Sequence, residues 1–130
     1  MEKILDQYFK DELDNWLKTL EFYESEIPEF EAKLIELTRK NTIPNLAANA
    51  EHLLSLFDTV REHIDSIRQK IEGQEGAIEH DDLHQKDKST VLRTVTQQNA
   101  LRHVMQAAEK NFVDTKYSFY NFLAGIAGSL

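Results

Sequence analysis

Cysteine is absent from the chain, which excludes disulfides and thiolate metal sites. Proline and glycine are scarce, two and four among 130 residues, too few to supply the turns of a many-stranded β fold. Long apolar runs are missing: the longest, Phe119 to Ala127, is too short to cross a bilayer. The opening Met-Glu-Lys-Ile-Leu-Asp has neither a basic n-region nor an apolar h-region, so no signal peptide is read. Basic residues are in short supply too. Fifteen Lys and Arg against 23 Asp and Glu leave a net charge of −8, which argues against nucleic acid, whose binding needs clustered positive charge. The expectation is one cytoplasmic helical domain over residues 1–130, without a membrane span.

What the chain does have is rhythm. Phe9, Leu13, Trp16, Leu20, Tyr23, Ile27, Phe30, Leu34 and Leu37 follow one another at steps of four and three. That spacing keeps one stripe of a long helix turned toward partner helices. Ile43, Leu46, Ala50, Leu53, Phe57, Val60, Ile64, Ile67 and Ile71 repeat the pattern. A third, weaker seam runs through Val91, Thr94, Gln98, Leu101, Met105, Ala108, Phe112, Thr115, Phe119 and Phe122. Its Thr94, Gln98 and Thr115 place polar groups in the core, where they cost stability and can fix register. The fold class is therefore all-α, an up-down-up bundle of three long helices with coiled-coil-like heptad packing.

The expected boundaries follow from the punctuation. Helix 1 covers about 2–40 and is kinked at Pro28, because the heptad stays in phase across a residue that removes one backbone donor. Asn41 to Pro44 forms a short connector in which Asn41 or Thr42 caps the next helix, so helices 1 and 2 lie antiparallel. Helix 2 covers about 43–73 and is ended by Gly73 and Gly76. A polar connector spans 74–88, helix 3 covers about 89–124 behind an N-cap at Asp87 or Ser89, and 125–130 is a mobile tail. Residues 1–40 hold 11 acids and 6 bases, with Lys18 the only base between Asp11 and Glu31. Residues 89–130 hold 2 acids and 4 bases. Opposite signs favour helix 3 beside helix 1.

Chemistry-bearing groupings are few. His80 and His84, in His-Asp-Asp-Leu-His, would share a helix face as zinc-ligand pairs do. They stand without further ligands in a polar segment, which reads as a solvated connector. No pair of Glu-x-x-His motifs is present for a di-iron bundle. His52, His63 and His103 occur singly, and their neighbours lack the glycine and lysine expected around a phosphotransfer histidine. No phosphate loop or nucleophile elbow occurs. The expectation is no catalytic residue, no metal and no cofactor.

Helix 3 carries more apolar and small residues than its seam uses. Val104, Ala107, Val113, Tyr117, Tyr120 and Leu123 lie on other faces, and such surplus marks helices buried on more than one side. They are the candidate protein-binding residues. The functional expectation is a non-catalytic helical interaction or scaffold protein, acting through self-association as a homodimer and through helix-face protein binding. The alternative is a histidine phosphotransfer or small-metal-binding bundle.

Overall fold

The computed structural model describes residues 2–40, 42–81 and 87–129, and among these there is no strand. They form three helices, α1 (Glu2–Lys40), α2 (Leu46–Asp81) and α3 (Lys88–Ser129). The directions follow from which residues meet. Between α1 and α3, partners rise together: Phe9 with Gln98, Glu12 with Arg102 and Glu26 with Lys116 are 89 or 90 positions apart. The two helices are parallel. Between α1 and α2 the order reverses, Glu24 meeting Arg68 and Glu31 meeting Arg61. The bundle is up-down-up.

Seam residues supply the core. Leu13, Leu20, Ile27 and Leu34 of α1 and Phe57, Ile64 and Ile71 of α2 are at most 1% exposed, each contributing about 1.5–3 kcal/mol of gross burial energy. Phe30 ties the three helices together. Its ring lies 5.4 Å from Phe57 of α2 and 4.9 Å from Phe119 of α3, centroid to centroid. One level below, Tyr23 stacks on Phe112 at 4.3 Å.

α1 passes through Pro28 without interruption. A continuous helix that lacks one backbone hydrogen bond makes a prediction for the exposed Pro28. Pro28→Ala should leave the melting temperature unchanged or raise it, by at most the roughly 3 kcal/mol separating the two residues in helices. A marked drop would mean that the ring itself is required.

Three expected boundaries are corrected. α2 begins at Leu46, not near residue 43. The chain turns at Pro44–Asn45, where Leu46 N–H donates to Ile43 O at 3.1 Å and Asn45 adopts φ 64°, a left-handed conformation that asparagine tolerates. Asn41 lies outside the described residues, and Asn45 rather than Thr42 precedes the first turn. α2 also continues to Asp81 instead of ending at 73. The seam explains why, because Gln74 and Ile78 extend the four-three rhythm and are 8% and 1% exposed. Gly73 and Gly76 sit inside the helix on the exposed face, with nothing within 4 Å of where a Cβ would stand. Packing on the inner face offsets their poor propensity of about 1 kcal/mol each. Finally, 125–129 is helical, held by Ile126 at 7% exposure, not a mobile tail. The N-cap at Asp87 is as expected: its Oδ1 accepts from Thr90 N–H at 2.9 Å.

Candidate interaction surface

Glutamine at a core position demands partners, and Gln98 has them from all sides. It is fully buried. Its Oε1 accepts from Gln74 Nε2 of α2 at 3.0 Å. Its Nε2 donates to Phe9 O at 3.3 Å and to Glu12 Oε1 at 2.9 Å on α1. Arg102, one turn along α3, grips Glu12 with both Nε and Nη2, at 2.8 and 2.9 Å. A polar layer thus crosses the whole bundle, each buried group satisfied. Thr94 and Thr115, the other polar seam residues, bond back to the carbonyls of Thr90 and Asn111.

The layer opens outward between α1 and α3. Each of these helices packs closely on α2, and they meet one another less extensively. Between them runs a cleft of about 440 Å³, walled by Glu12, Trp16, Thr19 and Tyr23 on one side and Arg102, Met105, Gln106 and Glu109 on the other. Burial, then the Glu109 charge, pushes the Tyr23 hydroxyl above its ordinary range. Higher up, Lys116 Nζ bonds Glu26 at 2.8 Å and lies 5.8 Å from the Phe30 ring centroid. That bond holds the ammonium pKa above its usual value.

The six residues singled out from the sequence fall into separate places. Val104 and Ala107 border α2, lining a shallow cleft of about 270 Å³ with His63, Ser66 and Asn111. Val113, Tyr117 and Tyr120 lie on the opposite flank, toward α1, where Tyr120 meets Phe30 edge-on at 6.3 Å. The nine residues from Val104 to Val113 make two and a half turns, which sets them half a turn apart. Leu123 packs against the core. Tyr117 is 64% exposed.

Sequence reasoning missed the other wall. Ile4, Tyr8 and Phe22 of α1 are 73%, 60% and 57% exposed. They line up at helical spacing with Glu12 and Glu26, which reach α3. With Leu92 of α3, 65% exposed, they give the α1–α3 face an apolar patch at each end and a polar middle. Among the described residues, α2 exposes no large apolar side chain.

Elsewhere the structure offers less. His52 and His103 are exposed, and His63 Nδ1 accepts from Asn111 Nδ2 at 3.2 Å. His84 lies outside the described residues. No group of three or more potential ligands among the described residues is arranged to hold a metal ion. Asp14 of α1 faces Glu75 of α2, with Glu72 and Glu79 nearby. Burial first, then the hydrogen bond with Asp14, raises the Glu75 pKa. A raised folded-state value means stability that is full below the ordinary glutamate range and is lost as pH rises through the folded value. Glu75→Gln should therefore stabilise the protein at pH 7, by about 1 kcal/mol or less for so accessible a site, and not at pH 4. Urea unfolding at both values checks this; equal effects would contradict it.

No family model, curated protein or solved structure matches the chain.

Proposed function

We propose that the protein is a non-catalytic helical interaction protein that binds protein partners, its own copy included, through the face shared by α1 and α3. The observation behind this reading is the placement of exposed apolar side chains. Among the described residues, seven of the eight large ones, all but Ile35, belong to this face. Exposed apolar surface gathered on one side, rimmed by polar residues, is the mark of an interface rather than of a solvated wall. The aromatic members Tyr8, Phe22 and Tyr117 are of the type that anchors hot spots.

The test is site-specific photo-cross-linking in cells. A photoreactive phenylalanine analogue at Phe22 or Tyr117 should couple to protein, and the same analogue at the exposed Glu62 of α2 should not. Equal coupling at all three positions, or none at any, would overturn the reading.

A further inference from the structure

The cleft between α1 and α3 holds polar groups that the bundle itself does not use. At its lower end the charged groups are spent. Arg102 gives Nε and Nη2 to Glu12 and Nη1 to Asn99, so each of its three nitrogens is engaged. Glu12 also accepts from Gln98, and its charge cancels that of Arg102. Above the cleft, Lys116 is committed to Glu26.

The middle and upper part differ. Tyr23 is nine-tenths buried, with Phe112 stacked on its ring, and it lines the cleft. Its hydroxyl has no hydrogen-bond partner among the described residues, a costly state for so buried a side chain unless something outside the chain supplies one. The Glu109 carboxylate is likewise without a hydrogen bond or ion pair among the described residues, and its charge is felt at the Tyr23 hydroxyl. The offset of 89 or 90 positions between the parallel helices sets Glu109 level with Thr19, one turn from Trp16 below and one turn from Tyr23 above. Met105, 7% exposed, adds an apolar wall.

These groups select among ligands. With Glu12 and Arg102 cancelling, the lining carries the single negative charge of Glu109, which repels an anion. A neutral apolar molecule would leave both the carboxylate and the hydroxyl without partners. An organic cation bearing N–H groups suits all of them. Its charge and donors meet Glu109 and the Tyr23 oxygen, tryptophan is the best cation–π partner, and an alkyl body packs on Met105. The volume of about 440 Å³ lies in the usual range for small-molecule sites, about 300–1,000 Å³.

We infer that this cleft is a binding site for a primary ammonium group on an alkyl chain, held by Glu109 and the Tyr23 hydroxyl beside Trp16. A free alkylamine and a lysine side chain of a protein seated on the α1–α3 face present the same group. The site does not depend on that face binding protein.

Trp16 is the only tryptophan of the chain, so its emission reports on the cleft. Titration with n-butylammonium chloride at constant ionic strength should give a saturable change, and sodium butyrate should give none. Glu109→Gln should weaken binding by roughly tenfold or more, the loss of one charge-assisted contact. Tyr23→Phe, which removes only the hydroxyl, should weaken it as well, whereas Glu62→Gln on α2 should bind as wild type. A change no different from that in sodium chloride, or Glu109→Gln binding as tightly as wild type, would overturn the inference. So would an equal loss in Glu62→Gln, which would show attraction to the acidic chain at large. Glu109 is exposed, so its variant keeps the test decisive if circular dichroism shows Tyr23→Phe unfolded. Competition separates the two sources. Butylammonium that suppresses photo-cross-linking from Phe22 in a lysate assigns the cleft to a lysine of the partner, and cross-links that persist while the amine is bound assign it to a free amine. Amine binding with no cross-link from Phe22 or Tyr117 upholds the site and refutes the protein-binding role.

Discussion

Phe30→Ala should destabilise the protein by about 3–5 kcal/mol, the usual cost of removing a buried ring. The ring is 9% exposed and touches Phe57, Phe119 and Tyr120, with Lys116 above it. One truncation thus loosens α1 from both neighbours at once, and the space cannot close by moving one helix. Domains of this size have about 5–15 kcal/mol in total, so the urea midpoint should fall by about a fifth or more. A loss below about 1 kcal/mol would show that the helices are not held by this cluster.

Gln98→Ala comes next, at about 2–4 kcal/mol, from the cavity and from the groups left short of partners. Gln74 Nε2 loses one of its two acceptors and keeps Thr94 O, and Phe9 O and Glu12 lose a donor. The more telling variant replaces both amides. Gln74→Leu with Gln98→Leu fills the space with apolar groups, and such exchanges are often neutral or stabilising. The double variant should be less destabilised than the sum of the two single leucine variants, measured by equilibrium unfolding. Additive losses would show that the two glutamines do not act as a unit.

Much of this bundle is legible in the spacing of its apolar residues. Leu13, Ile27, Ile64 and Ile71 announce their burial by position alone, and Thr94, Gln98 and Thr115 lie in the core as the third seam requires. The end of α2 is not legible, for a physical reason. Gln74 looks like the start of a polar loop until its partner Gln98, 24 residues on, is brought beside it by the fold. Gly73 and Gly76 read as a stop because local propensity says so, whereas tertiary packing of Ile78 decides otherwise.

The binding face divides in the same way. Tyr117 and Val113 are visible in the sequence as apolar residues in excess of the seam. Which flank they occupy, and that Val104 and Ala107 occupy the other, depends on where α1 lies. Ile4, Tyr8 and Phe22 escape notice because the strong seam of α1 accounts for its aromatics one stripe away. Only the parallel pairing of α1 with α3 shows that these residues stand level with Leu92, Val113 and Tyr117.

Sedimentation equilibrium over a concentration series tests the role of this face most directly. The wild-type chain of 15.1 kDa should approach twice that mass at micromolar concentration. Phe22→Glu with Tyr117→Glu should sediment as a folded monomer, while Ala107→Glu on the opposite flank of α3 should behave as wild type. A double variant that keeps the wild-type mass, or an Ala107→Glu variant that alone becomes monomeric, would contradict the assignment of the α1–α3 face.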